Sequence, residues 1–348
     1  MTNKNLNDYH FKNLVFEGGG VKGIAYVGAL EVLDEEGILK NIKRVAGTSA
    51  GAMVAVLVGL GYTATEISDI LWDLNFQKFL DDTFGYARDV DRLINEYGWY
   101  KGDFFRNLMA GFIKDKTGDG EATFEDLKKA KKYRDIYLIG ADLSTGFSKV
   151  FCYDHTPDVK VADAARISMS IPLFFRAVQN INNDGHVYVD GGLLENYPIK
   201  VFDRASYASK ESSKRSTEYY ERSNKALRKK KNQIDEYIYN KETLGFRLDA
   251  KEEIEKFLDP DKEMPIKNDI KTIFSYSKAL VTTLIDFQDN VHLHSDDWQR
   301  TVYIDTLGIS SIDFGISNSK KQKLVNSGIT HTKAYLEWYN NEEEKANK

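Results

Sequence analysis

Three short glycine-bearing motifs, in a fixed order, constrain this chain more than any other feature. They are Gly18-Gly19-Gly20-Val21-Lys22-Gly23, Gly47-Thr48-Ser49-Ala50-Gly51 and Asp190-Gly191-Gly192. The apolar run Leu14-Val15-Phe16 stops at the first motif, which predicts a buried strand over 12–17 feeding a loop of unshielded backbone N–H groups. Ile24, Val27, Leu30 and Leu33 follow at three-residue steps, so the loop opens an amphipathic helix ended by Gly37. Residues 42–46 predict a second short strand running into Ser49, and residues 50–60, apolar on nearly every side, a buried helix. Strand, sharp turn and helix are the frame of a G-x-S-x-G elbow, which exposes a serine hydroxyl.

The first motif also matches G-x-G-x-x-G after a strand, the dinucleotide fingerprint. A Rossmann unit then needs an acid at the end of its second strand to bind ribose. Here that strand ends in Ala46-Gly47-Thr48-Ser49, with no acid. A phosphate-binding P-loop fails as well, because Lys22 precedes glycine rather than Ser or Thr.

Further along, residues 65–127 predict mostly helix. Phe104, Phe105, Leu108, Met109 and Phe112 fall on one helical face. Residues 135–142 and 149–153 predict strands joined through Ser144-Thr145-Gly146, and residues 159–169 a helix stopped by Pro172. Residues 186–189 predict a strand leading into Asp190. Strands alternating with helices predict an α/β fold with a mostly parallel central sheet, covered on both faces. Ser49 then sits at a strand's carboxyl end, where such folds carry ligands.

The predicted organisation is a polar extension over 1–11, a core over 12–203, a charged insertion over 204–240, a part over 241–340 completing the same domain, and a frayed tail over 341–348. In that last large part, residues 301–305 predict a strand and 320–338 a terminal helix. The insertion carries Arg222, Lys225, Arg228, Lys229, Lys230 and Lys231, with Glu221 the one nearby acid in sequence. It reads as a solvated helix or disordered insertion, or as a contact for an anionic membrane or a partner.

Hydrophobic residues make up 42% and charged residues 29% of the 348, ordinary for a soluble globular protein. The net charge of −5 argues against nucleic acid as a partner. Cys152 is the one cysteine, which rules out an intramolecular disulfide and a cysteine-rich metal site and fits a reducing cytoplasm. Residues 1–11 lack the apolar stretch of a signal peptide. The longest apolar run, residues 52–60, is about half the ~20 residues of a membrane span. The expectation is a cytoplasmic protein with at most peripheral membrane contact. Signal-less secretion and oligomeric state leave no readable mark.

A serine, a carboxylate and an anion-binding loop are the minimum parts of a serine acyl hydrolase. Ser49 would be the nucleophile, placed at a helix N-terminus with Gly47 and Gly51 clearing the turn. Asp190 is the candidate proton acceptor. The loop of Gly18, Gly19, Gly20, Lys22 and Gly23 is the candidate oxyanion hole. In this order the motifs resemble those of the patatin-like phospholipase family, lipid acyl hydrolases with a Ser–Asp dyad. Ser168-Met169-Ser170-Ile171-Pro172, Thr123-Phe124-Glu125-Asp126-Leu127, and Asn196 and Pro198 after the aspartate motif carry the resemblance further. It covers roughly residues 12–203, and more weakly the region after 242.

The resemblance implies a three-layer α/β/α fold and cleavage of fatty-acyl esters of phospholipids or lysophospholipids, with no histidine, metal or cofactor required. The alternatives are a neutral-lipid esterase or general carboxylesterase, and a non-catalytic lipid- or nucleotide-binding module. An intact Ser49/Asp190 pair argues against the last, since binding needs neither group. An α/β-hydrolase triad would order Ser, acid, His, and His292, His294 or His331 could complete it. His292 and His294, beside Asp296 and Asp297, could also bind a metal. The aromatic residues Trp72, Phe76, Phe79, Phe84, Tyr97, Trp99, Tyr100, Phe104 and Phe105 either line an acyl channel or fill a helix core, the second being the expectation for most.

Overall fold

Alternation of period two sets the centre of the molecule. In the computed structural model, which describes residues 9–81, 92–229, 235–249, 296–341 and scattered positions between 270 and 283, the run 13–16 is β1 (Asn13–Phe16). Leu14 and Phe16 face the larger apolar cluster and Val15 the smaller one behind the sheet. In β2 (Arg44–Thr48), Val45 and Ala46 divide the same way, and in β4 (Asp135–Asp142) Ile136 and Leu138 oppose Tyr137.

The central sheet has eight strands. β12 (Thr301–Asp305), β11 (Thr243–Asp249), β1, β2 and β4 lie side by side and parallel. The hairpin partner β5 (Phe147–Phe151) runs antiparallel to β4, as does β8 (Val187–Asp190), which in turn pairs with β7 (Val178–Gln179). The sheet is thus mostly parallel, as expected, with its antiparallel strands gathered where Asp190 lies. β11 and β12 extend the sheet from β1.

Helices α1 (Ala25–Glu35), α2 (Ala50–Gly59), α3 (Ala64–Asp73), α4 (Asp103–Thr117), α5 (Phe124–Ala130), α6 (Val161–Ser168) and α8 (Asn318–Asn341) contribute to the larger cluster. Every residue of α2 is buried, in keeping with its uniformly apolar sequence. On the other face the sheet is covered by the chain after Asp190, through Tyr197, Ile199 and Phe202. Helix α7 (Glu218–Arg228) is fastened to that cover. Its Tyr220 hydroxyl donates to Asp203 Oδ2 at 2.5 Å, and its Asn224 exchanges hydrogen bonds with the backbone of Tyr237.

One expectation differs from the structure. The helical reading of 65–127 misses β3 (Gly98–Tyr100), which pairs in parallel with β6 (Leu173–Phe175) outside the main sheet. Its aromatic residues favour extended backbone and find a partner 75 residues on. The segment 204–240, expected as a solvated helix or a disordered insertion, holds the mostly exposed helix α7. β9 (Lys214–Arg215) pairs with β10 (Tyr239–Asn240), and α7 lies between them in sequence. Arg300, fully buried, grips both Asp203 oxygens at 2.6 and 2.7 Å and Asp297 at 2.7 Å, tying this cover to the start of β12. Lys230, Lys231, Phe84, His292 and His294 lie outside the described residues, and with them the histidine-pair metal site. Among the described residues no group of three or more acids, histidines or cysteines could hold a metal ion, and no helix is long and apolar enough to cross a membrane.

Candidate active site

The sheet register brings Ser49 and Asp190 together. β5 occupies one edge of β4 along residues 138–142. On the other edge β2 pairs along 135–139, with Thr48 opposite Ile139. β8 takes over that edge along 140–142, with Asp190 opposite Gly140. Two strands of opposite direction therefore point their carboxyl ends at each other along one edge of β4. Residues 141 positions apart in sequence meet at neighbouring rungs.

At the tip of β2 the chain turns sharply into α2. Ser49 takes φ 53° and ψ −123°, a conformation costing a side-chain-bearing residue on the order of 1–3 kcal/mol and persisting where surrounding contacts enforce it. Gly51 permits the turn: a Cβ there would stand 2.3 Å from the Phe16 carbonyl oxygen. Gly47 lies against the Gly51 backbone in the same turn. The Ser49 N–H donates to Ser168 Oγ at 3.0 Å, and its hydroxyl lies 3.7 Å from Met169 Sδ. Ser49 is 6% exposed.

Asp190 is 1% exposed. Its Oδ1 accepts from the Gly192 N–H at 2.7 Å, and its backbone N–H donates to the Ser170 carbonyl at 2.8 Å. Among the described residues Oδ2 is buried with no hydrogen-bond partner other than the neighbouring Ser49 hydroxyl. Burial pushes the carboxyl up to about 7, while the Gly192 N–H and the nearby Ser49 hydroxyl pull it back. An acid with that affinity for protons, one oxygen uncommitted and a serine hydroxyl for a neighbour, can exchange a proton near neutral pH.

The glycine loop closes the third side. Gly18 sits where a Cβ would fall 2.3 Å from Asn196 Oδ1 and 3.0 Å from the Ser49 Cβ, so the loop passes directly over Ser49. The Gly18 N–H donates to the Asn196 carbonyl at 3.1 Å and the Val21 N–H to that of Ser311 at 2.9 Å. Among the described residues the N–H groups of Gly19 and Gly20 have no such partner. Gly20 starts a short 3-10 turn with φ 55°, a left-handed value glycine adopts without strain. Lys22 is half-buried in that turn, without an ion pair to a described residue, and Gly23 packs against Ala50.

Ser49 and Asp190 thus lie at neighbouring rungs, with Gly18, Gly47 and Gly51 packed about the Ser49 turn and Gly19, Gly20, Lys22 and Gly23 in the loop that leads into α1. None of the four described histidines is a partner of Ser49 or Asp190. His186 pairs with Asp142 at 2.6 Å, His331 with Ser327, and His10 with Lys241 and Tyr339, while His155 is exposed. A triad through His331 has no support in this arrangement. Phe76, Phe79 and Phe105 are core residues, whereas Tyr97 is exposed. The sequence reading quoted Ser168, Ser170 and Asn196 only as family-like positions and assigned them no contact. Arg166 it missed, since nothing in a helical alternation marks one arginine as buried.

A family model described as patatin-like phospholipase matches residues 14–203. The chain belongs to the patatin-like phospholipase family. It is 32% identical over 333 residues to the uncharacterized protein YqhO of Bacillus subtilis (strain 168), covering 92% of this chain and 97% of that one. It is 27% identical over 218 residues, 61% of this chain and 69% of the other, to a probable lipid hydrolase, 463L, of Invertebrate iridescent virus 6. Among solved structures, VipD from Legionella pneumophila shares the fold with a TM-score of 0.60 at 16% identity, covering 94% of this chain and 67% of that one.

Proposed function

We propose that this protein is a serine acyl hydrolase that releases fatty acid from phospholipids or lysophospholipids, with Ser49 as nucleophile and Asp190 as general base. The observation that carries the reading is the strained Ser49 elbow set against a buried carboxyl whose Oδ2 has no other partner. Family membership and the likeness to the viral probable lipid hydrolase support the lipid ester as substrate.

In the first half-reaction Ser49 Oγ attacks the ester carbonyl and its proton passes to Asp190. The oxyanion forms beside the free N–H groups of Gly19 and Gly20, at the loop that leads into α1, and beside the N-terminus of α2. Collapse expels the alcohol, the lysolipid or glycerophosphoryl part, which takes the proton back from Asp190. Water, activated by the same carboxylate, then cleaves the acyl-enzyme. The reaction balances without a cofactor, and activity is expected to survive a chelator with a soluble ester.

Membrane contact belongs to this proposal too. The structure alters the arithmetic of the basic segment, because the hairpin brings in an acid the sequence kept distant. Arg228 forks onto Glu236 at 2.7 and 2.9 Å and reaches Glu221 at 3.3 Å. Arg222 and Lys229 pair with no described acid and remain for an anionic surface. The test of substrate class is mass spectrometry of the products from mixed phospholipids, lysophospholipids and triacylglycerol. Free fatty acid from the phospholipids, absent with S49A, supports the reading. Turnover of triacylglycerol alone would make the protein a neutral-lipid esterase.

A further inference from the structure

The end of α6 touches both catalytic candidates through three consecutive residues. Ser168 Oγ accepts from the Ser49 N–H at 3.0 Å and donates to the Ile139 carbonyl at 2.6 Å. Met169 Sδ lies 3.7 Å from Ser49 Oγ. The Ser170 carbonyl accepts from the Asp190 N–H at 2.8 Å. Thr48 opposite Ile139 is the last rung between β2 and β4. Just beyond it the Ser168 hydroxyl stands between a donor of β2's tip and an acceptor of β4. It carries the ladder one step past its end.

From this we infer that Ser168 is a positioning residue for the nucleophile, an inference that rests on the dyad reading above. A non-glycine residue at φ 53° holds its place only if its surroundings over-determine it. Ser168 is fully buried and donates and accepts in one line, so alanine would orphan a buried N–H and a buried C=O together. Its bond also withdraws the Ser49 N–H from the oxyanion, which leaves that task to the glycine loop.

The platform under Ser168 is itself braced. Arg166 is 6% exposed and donates to Ser170 Oγ and to the carbonyls of Lys101 and Arg176, the last at 2.9 Å. Among the described residues it has no carboxylate in direct contact, and burial presses its pKa down to about 10. A buried cation held mainly by carbonyls ties α6 to the strand pair β3–β6. Because Lys101 and Arg176 flank that pair, the bracket reaches from the outer sheet to the Ser49 elbow.

The test compares Ser168→Ala, Ser168→Thr and Ser168→Cys with the wild type and with Ser49→Ala, using a short-chain soluble ester and a fluorophosphonate. For S168A, kcat should fall by up to about 10²-fold, the effect of misplacing a reacting group by an ångström, with KM nearly unchanged. The fluorophosphonate inactivation rate should fall in step. The midpoint of the pH–rate profile should stay where the wild type has it, because Asp190 keeps its surroundings; a site opened to water would move it downward. S168T or S168C, which retain a hydrogen-bonding group, should recover a large part of the loss, and their comparison stands if S168A does not fold. Wild-type kcat in S168A, or losses in all three unrelated to hydrogen bonding, would overturn the positioning role. If S49A is inactive while S168A is fully active, this inference alone fails; an active S49A removes the dyad reading and this inference with it.

Discussion

At the scale of single residues, Asp190 has the most testable consequence, because its proton affinity enters both stability and rate. In the folded chain its pKa is raised to about 7, above its ordinary value of 3.8. Between those values the unfolded chain releases a proton that the folded chain keeps, so stability falls as pH rises from about 4 to 7. D190N removes that dependence. Its melting temperature should exceed the wild type's above pH 7 and match it more closely below pH 4, as differential scanning calorimetry at several pH values would show. Equal pH dependence in both proteins would mean that Asp190 is not held protonated by burial. Catalysis runs the other way, since a base must be ionised to work. The wild type's kcat/KM should rise with pH and level off above about 7, and D190N should lose at least ~10² in kcat. A pH-independent rate from 5 to 8 would contradict the assignment.

At the scale of elements, the site exists because two strand ends meet tip to tip beside β4. The sequence showed each strand and each glycine turn, since apolar runs that stop at glycines are local signals. Ser49 at the end of β2 and Asp190 at the end of β8 were legible for that reason. Their convergence was not, because a register such as Thr48 opposite Ile139 and Asp190 opposite Gly140 is fixed by long-range pairing. The bond from Ser49 to Ser168 was hidden likewise, and β3 was lost because its partner strand lies far along the chain. The anchoring of α7 was hidden in the same way. A helix as polar as α7 gives little local signal, and its anchors Tyr220 and Asn224 act through Asp203 and Tyr237. The buried Arg300 fastens this cover with both oxygens of Asp203. D203A should leave that cation short of a partner and cost about 3–5 kcal/mol, read as a lower urea midpoint. A change below ~1 kcal/mol would mean that Asp297 and the Asn240 carbonyl suffice.

At the scale of the whole molecule, one sheet joins the first motif to the last strand, and the proposed function requires a lipid to reach a covered site. The net charge of −5 opposes approach to an anionic surface, so any attraction must be local. Arg222 and Lys229, without described ion-pair partners, are the groups that can supply it, at about 1 kcal/mol each near the surface. Reversing both to glutamate should weaken sedimentation with phosphatidylserine vesicles at low salt and leave soluble-ester hydrolysis unchanged. The same reversal of Arg228, already neutralised by Glu236, should weaken binding mainly by disturbing the hairpin, with a fall in melting temperature. Undiminished vesicle binding by the Arg222/Lys229 variant would leave the segment with a structural role only.

The central claim, that Ser49 is the nucleophile of an acyl hydrolase, is tested most directly by mapping the adduct of a fluorophosphonate. Intact-mass and peptide mass spectrometry should find one phosphonyl group per chain, on Ser49, with S49A unlabelled and D190N labelled far more slowly than the wild type. Full labelling of S49A, or an adduct on any other residue of the wild type, would contradict the account.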